Sequence, residues 1–111
     1  MDCIFCKIAG KEINSAVVFE TETVVVIKDI NPQAPTHLLI IPKAHYPTLN
    51  DCADPSLLAD MLIAAKDAAA RLGVAERGYR LTINTNKEGG QTVFHLHIHL
   101  MAGRALTEKM C

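Results

Sequence analysis

The chain has 111 residues, half of them hydrophobic, and a formal net charge of −1. This length suits one domain, residues 1–111, with a core that needs no disulfide bonds. No apolar run approaches the roughly 20 residues of a membrane span, and the N-terminus has no signal-peptide pattern. The composition predicts a soluble, cytoplasmic protein with no membrane partner. The lack of a basic patch argues against a nucleic-acid partner.

A Cys-x-x-Cys motif, Cys3 and Cys6, lies within residues 3–9, which have short-helix character. Such a motif is a pair of zinc ligands, a redox pair, or two small buried hydrophobic residues. The redox interpretation is disfavoured because the motif lies at the extreme N-terminus rather than after a first strand. Zinc needs two more ligands, and the chain has five histidines. The spacing alone leaves zinc binding and simple burial equally open.

Residues 17–20 and 23–29 are predicted to form two strands around a tight turn. The second strand contains the β-branched run VVVI, which is typical of a central strand covered on both faces. Two prolines in residues 29–35 then require an ordered loop. Asp29 either caps this loop or binds a hydroxyl group. A third strand follows over residues 37–42.

One long helix is predicted from Pro55 to about Leu72. Asp54 is a favourable N-cap, proline suits the first helical position, and Gly73 supplies the stop. Apolar residues at helical spacing form a buried arc on this helix: Leu57, Leu58, Met61, Leu62, Ala65, Ala68, Ala69 and Leu72. Its alanine-rich second half allows close approach of another element, either the sheet or the helix of a second subunit.

Residues 79–85 are predicted as a fourth strand, followed by a turn-rich loop over residues 86–90. This loop leads to a histidine-containing strand, so the two strands are expected to pair antiparallel. Gly89 and Gly90 are either ordinary turn glycines or positions where backbone N–H groups approach a phosphate.

The most informative stretch is residues 95–101, HLHIHLM, in which three histidines alternate with hydrophobic residues. Alternation predicts a half-buried strand. His95, His97 and His99 would then form one row, with neighbours about 6.5 Å apart. Such a row either binds a metal ion or performs phosphoryl chemistry, with one imidazole as nucleophile and a cationic neighbour. The spacing favours the second hypothesis, because neighbours at that distance flank one phosphate more easily than one zinc ion.

These residues match the His-φ-His-φ-His-φ-φ pattern of the histidine triad superfamily, where φ is a hydrophobic residue. Residues 89–94 (GGQTVF), 29–37 (DINPQAPTH) and 4–8 (IFCKI) resemble its Hint-like, nucleotide-binding branch. The likeness covers nearly the whole chain. It implies an α+β fold with a five-stranded antiparallel sheet, one long helix and a short N-terminal helix. It also implies a homodimer in which the sheets of two subunits join.

The resemblance implies a purine-nucleoside phosphoramidase or nucleotide hydrolase acting on AMP- or GMP-type substrates. His97 would attack the α-phosphorus to form a nucleotidyl-histidine, and His99 would contact the phosphate oxygens. His37 would lie behind the nucleophile in its proton network, and Asp29 would bind the ribose hydroxyls. The remaining substrate-binding positions would be Asn84, Gly90, Gln91 and Thr92 near the phosphate and leaving group, and Phe5, Ile8, Ile27 and Ile30 around the base.

Some microbial members that contain Cys-x-x-Cys bind zinc, and the resemblance transfers this site to Cys3, Cys6, His45 and His95. A closed set of four protein ligands would be structural rather than catalytic. It would attach the N-terminal segment to the histidine strand.

Two other functions fit the sequence. The first is a dinucleoside polyphosphate hydrolase, as in a neighbouring branch that uses the same nucleophile. The second is a nucleotide-binding interaction module without a physiological reaction, because a competent site and its cellular use are separate questions.

Overall fold

The structure is a computed structural model, and it describes residues 3–108. The ends of the predicted domain, residues 1–2 and 109–111, lie outside the described residues, and so does Cys111. Within these residues the fold has two α-helices, α1 and α2, five strands, β1 to β5, and a short 3-10 helix at Leu49–Asp51. In chain order they are α1 (Ile4–Ala9), β1 (Val17–Glu20), β2 (Val24–Lys28), β3 (Thr36–Pro42), α2 (Pro55–Arg71), β4 (Tyr79–Thr82) and β5 (Ile98–Ala102).

The five strands form one antiparallel sheet in the order β1-β2-β3-β5-β4. Together with the two helices, this confirms the predicted α+β fold. The predicted pairing of the fourth strand with the histidine strand is also confirmed, since Thr82 lies opposite His99 and Tyr79 opposite Ala102. No helix within residues 3–108 has the length and apolar character needed to cross a lipid bilayer.

Helix α2 begins as predicted, because the Asp54 carboxylate accepts hydrogen bonds from the N–H groups of Ser56 and Leu57. Its alanine-rich face packs on β2, β3 and β5. The sheet is therefore the element that approaches the small side chains closely. Leu62 was expected on the buried arc, but its side chain is 53% exposed.

The β-branched run of β2 is buried on both faces, as predicted. Val24 and Val26 join the core under α2, whereas Val25 and Ile27 join a second cluster with Phe5 of α1. Alternate residues of a strand point to opposite faces, so the two helices cover opposite sides of the sheet. The side covered by α1 is the one that carries the histidines.

The histidine strand is shorter than predicted, because β5 begins at Ile98 and leaves His95 and His97 in an irregular segment before it. The β3–β5 ladder ends at the Ile40–Ile98 pair. Beyond that pair the carbonyl oxygen of Pro42 is bonded to the His95 ring rather than to a backbone N–H group. Strand β4 is also shorter than predicted, because it ends at Thr82, opposite His99, rather than at residue 85.

Candidate active site

A cavity of about 340 Å³ opens on the face of the sheet that α1 covers. This volume is typical of sites for small molecules. Its walls are formed by α1, the end of β2, the loop before β5, and the last two histidines of the row, His97 and His99. Most of the residues predicted for catalysis or substrate binding line it: Phe5, Ile8, Ile27, Asp29, Ile30, Asn84, Gly90, Gln91, Thr92, His97 and His99.

His97 has the orientation that a nucleophile requires. Its Nδ1 lies 2.7 Å from the carbonyl oxygen of His95. A carbonyl can only accept, so Nδ1 carries the proton and Nε2 keeps its lone pair. Burial lowers the pKa of His97 below its ordinary value of 6.5, so the neutral form dominates at pH 7. The structure therefore presents an unprotonated ring nitrogen at the cavity wall.

His99 lies beside this ring, with the two ring centroids 4.9 Å apart. Burial, together with the nearby His97 and His37, lowers the pKa of His99 to about 4. The neighbour of the nucleophile is therefore neutral at pH 7, not the cation proposed from the sequence. A neutral imidazole still has one N–H group that can donate to a phosphate oxygen.

This shift predicts that the protein loses stability in mild acid. Between pH 6.5 and about 4, an unfolded histidine binds a proton that folded His99 does not. The unfolded chain then binds more protons, so the free energy of unfolding decreases as the pH falls through this window. Urea titrations over this range measure the decrease. A His99→Gln variant should show a shallower dependence, and an equal slope in both proteins would contradict the assignment.

His37 lies behind His99 rather than behind the nucleophile. Its Nε2 is 2.9 Å from Nδ1 of His99 and 3.4 Å from Oδ2 of Asp29. The resemblance implied that His37 lies behind the nucleophile His97, and the structure corrects this: His37 lies behind His99. The reason is the β3–β5 register, which pairs Leu39 with His99 and His37 with Met101, so that His37 lies next to the His99 end of the row.

The base-side residues divide into a wall and a rim. Phe5 and Ile27 are buried, and the Phe5 ring meets the His97 ring edge-on at 4.9 Å. Ile8 is half-buried on the same helix as Phe5. Ile30 is 94% exposed, so it lies at the mouth of the cavity rather than in its wall.

Gln91 and Asn84 support the loop that leads to the triad. The Gln91 amide donates to the carbonyls of Pro47 and Val93 and accepts from the N–H of Asn86. The Asn84 amide donates to the Gly89 carbonyl at 2.7 Å. The Gln91 side chain is therefore occupied with backbone groups, and its contribution to the phosphate side is to hold the loop in place.

Packing requires glycine at position 89, because a side chain there would collide with the backbone of Thr85. A Cβ at this position would lie 2.4 Å from the carbonyl oxygen of Thr85. Gly89→Ala should therefore destabilise the protein by about 2 kcal/mol, measured by urea unfolding. Gly10→Ala is the control, because its Cβ would lie 3.3 Å from the nearest atom. A smaller effect at Gly89 than at Gly10 would contradict this assignment.

Several cavity residues were not predicted from the sequence. Ile13, Asn14 and Ser15 come from the segment between α1 and β1, and Lys28 from the end of β2. The first three have no periodicity or motif that could have indicated their role. They reach the cavity only because α1 folds over the sheet.

The predicted metal ligands Cys3, Cys6, His45 and His95 come together beside the triad, with their ligand atoms within 4.8 Å of one another. Nδ1 of His95 lies 3.4 Å from Sγ of Cys3, 3.5 Å from Sγ of Cys6 and 3.1 Å from Nδ1 of His45. A tetrahedral zinc ion has ligand atoms about 3.3–3.8 Å apart, given bonds of about 2.0–2.3 Å. These four residues therefore form a site that could bind a metal ion.

The hydrogen bond of His95 supports the same conclusion. Its Nε2 lies 2.7 Å from the Pro42 carbonyl oxygen and so carries the proton, which leaves Nδ1 free as a ligand. A metal-binding histidine commonly donates its other N–H group in this way. Two thiols and two imidazoles form the donor set that zinc prefers in closed sites.

Comparison with known proteins agrees with this geometry. The sequence profile of the HIT domain family matches residues 10–106. The purine nucleoside phosphoramidase of Escherichia coli strain K12 is 47% identical over 107 residues, which cover 95% of this chain and 90% of that protein. Protein HitA of Neisseria gonorrhoeae is 49% identical over 102 residues, covering 90% of this chain and 94% of that protein.

Solved structures show the same likeness. A HIT family hydrolase from Legionella pneumophila superposes with a TM-score of 0.93 at 53% identity, covering 96% of this chain and 97% of that chain. A histidine triad protein from Clostridium difficile gives 0.95 at 40% identity, with 99% and 97% covered. The resemblance seen in the sequence is confirmed, as is the prediction of a hydrolase. This chain belongs to the HIT domain family.

Proposed function

We propose that this protein is a purine nucleoside phosphoramidase that hydrolyses the P–N bond of nucleoside 5′-phosphoramidates. One observation carries the proposal: His97, with its Nε2 unprotonated, lines a cavity of about 340 Å³ beside a second imidazole, that of His99. The relative from Escherichia coli that bears this name supports the choice of substrate class.

In the proposed reaction, Nε2 of His97 attacks the α-phosphorus and the P–N bond breaks, which forms a nucleotidyl-histidine and releases the amine. Water then cleaves the bond between phosphorus and His97 to give the nucleoside monophosphate and regenerate the imidazole. The net reaction adds one water across the P–N bond. A covalent intermediate replaces one difficult displacement by two easier ones.

The other cavity residues provide binding and orientation. His99 donates to a phosphate oxygen, where a preorganised donor stabilises developing charge. Thr92 and Gly90 line the side of the phosphate and leaving group. The Asp29 carboxylate binds the ribose hydroxyls, and the apolar wall around Phe5 binds the purine base.

Hydrolysis assays with adenosine and guanosine 5′-phosphoramidates test this function, with a diadenosine polyphosphate in parallel. Turnover of the phosphoramidates supports the proposal. Cleavage of the polyphosphate alone would indicate the neighbouring branch instead. AMP binding without turnover of either substrate would favour a nucleotide-binding interaction module.

We propose further that the metal bound by Cys3, Cys6, His45 and His95 is Zn²⁺ and that it is structural. All four positions of a tetrahedral site come from the protein, which leaves no position for substrate. When bound, the ion would connect α1 to the segment that carries His97. It would thereby hold Phe5 against the nucleophile.

A homodimer and a cytoplasmic location stay predictions. The β4 edge has a strand on only one side within residues 3–108, so a second subunit could extend the sheet there. Leu62 and Ile63 of α2 are each half exposed, and a small apolar cavity of about 140 Å³ adjoins Leu62. We expect sedimentation to give the mass of a dimer, about twice the 12.1 kDa chain. A monomer at micromolar concentration would contradict this.

A further inference from the structure

A chain of hydrogen bonds runs from the loop between β2 and β3 into the active site. The backbone N–H of Gln33 donates to Nδ1 of His37 at 2.9 Å. Nε2 of His37 then lies 2.9 Å from Nδ1 of His99. His37 is buried, and His99 lines the cavity. The chain therefore connects a backbone group outside the cavity to a ring inside it.

The direction of this chain is fixed by its first member. A backbone N–H can only donate, so Nδ1 of His37 is an unprotonated acceptor. A neutral imidazole carries one proton, which places the proton of His37 on Nε2. That N–H group donates to Nδ1 of His99, so the proton of His99 is on its Nε2. An imidazolium at His99 would set two N–H groups against each other at 2.9 Å.

The Gln33 N–H group is held in place by the rest of the loop. Asp29 closes the loop with its N–H donating to the carbonyl of His37 at 2.9 Å, and its carboxylate accepts from the N–H of Asn31 at 2.8 Å. Arg104 donates to the Gln33 carbonyl at 3.1 Å. The Gln33 N–H group, which sets the tautomer of His37, is therefore held in an ordered loop.

This arrangement also decides against a second metal site. The ligand atoms of Asp29, His37 and His99 lie within 4.8 Å of one another, as a metal site would require. A ligand nitrogen must be unprotonated, however, and Nε2 of His37 carries its proton. The same atom lies 3.4 Å from Asp29 Oδ2 and only 2.9 Å from His99 Nδ1. The three residues form a hydrogen-bonded relay.

We propose that His37 is a positioning residue that, under control of the Gln33 backbone, locks His99 in the neutral tautomer with its proton on Nε2. His99 then donates a hydrogen bond to the substrate phosphoryl group without carrying a positive charge. The groups that face His99 are His37, the His97 ring at 4.9 Å and the Asp29 carboxylate. This inference rests on the proposed function for the identity of the ligand, but the tautomers themselves do not depend on it.

Nitrogen NMR of the full chain with ¹⁵N-labelled histidine tests the tautomers directly, without any variant. At pH 7 we expect Nδ1 of both His37 and His99 to have the shift of an unprotonated nitrogen, and Nε2 of both to have that of a protonated one. On addition of AMP, the chemical shift of the Nε2 proton of His99 should change strongly, while the nitrogen shift of Nδ1 should remain that of an unprotonated nitrogen. A His99 that is protonated on both nitrogens, or on Nδ1, would overturn the inference.

Two variants of His37 separate positioning from packing. In His37→Gln, the side-chain amide NH₂ takes the position of Nε2 and can still donate to Nδ1 of His99. In His37→Asn, the shorter amide takes the position of Nδ1, so it can accept from the Gln33 N–H but cannot reach His99. We expect the kcat for the phosphoramidate to stay within about threefold in His37→Gln and to fall about tenfold in His37→Asn. The His99 signals should show tautomer exchange only in His37→Asn. Equal rates and spectra in the two variants would contradict the role.

The same experiments distinguish this inference from the proposed function. If the wild-type protein binds no AMP and hydrolyses no phosphoramidate, the proposed function fails, whatever the tautomers are. If the protein is active but His99 is an imidazolium in the AMP complex, the proposed function is supported and the proposed control of the His99 tautomer by His37 is wrong.

Discussion

Replacing His97 with alanine is expected to lower the hydrolysis of an adenosine 5′-phosphoramidate by at least about 10³-fold. The nucleophilic Nε2 is lost, and no other ring nitrogen occupies its place: Nδ1 of His99 is bonded to His37, and Nδ1 of His95 faces Cys3 and Cys6. Steady-state release of the amine measures the loss. Burst experiments with the wild-type protein should also detect a nucleotidyl-protein that the variant cannot form.

AMP binding is the control for this variant. Most of the cavity wall lies outside His97, so calorimetry should show AMP affinity within about tenfold of the wild type. Lys66→Ala on the exposed face of α2 provides a matched variant with no change in rate. If His97→Ala keeps most of its activity, His97 is not the nucleophile.

If the proposed zinc site is occupied, replacing Cys3 or Cys6 with serine is expected to abolish zinc binding and to lower the melting temperature by about 10 °C or more. Each thiol lies within 3.5 Å of a histidine nitrogen in the four-residue cluster, and Cys3 also accepts the N–H of Cys6 at the start of α1. Metal analysis of purified protein should give about one equivalent of zinc in the wild type and almost none in the variants.

Cys52→Ser is the matched control. Cys52 is a buried free cysteine in the core under α2 and is not one of the four clustered ligands. It should keep its full zinc content, and any loss of stability should be insensitive to chelator. Loss of metal from Cys52→Ser, or a wild-type protein that contains less than about a tenth of an equivalent, would contradict the assignment of the site.

Local patterns in the sequence determined most of the fold. The Asp54–Pro55 start of α2 acts within one helical turn, and the β-branched run of β2 reports burial on two faces, so both could be predicted from neighbouring residues. The alternation of residues 95–101 correctly placed Leu96, Ile98 and Leu100 in the core. Residue types and their spacing, together with the likeness to a known family, also indicated the four possible metal ligands and most of the cavity.

The tertiary structure decided what depends on partners distant in the chain. The start of β5 follows from Pro42, whose carbonyl binds the His95 ring, so the strand could not be delimited from its own residues. The neutral state of His99 follows from its burial and from His37, which lies 62 positions away. The sequence by itself therefore determined which groups are present, whereas long-range hydrogen bonds and burial decided which nitrogen of each imidazole carries the proton.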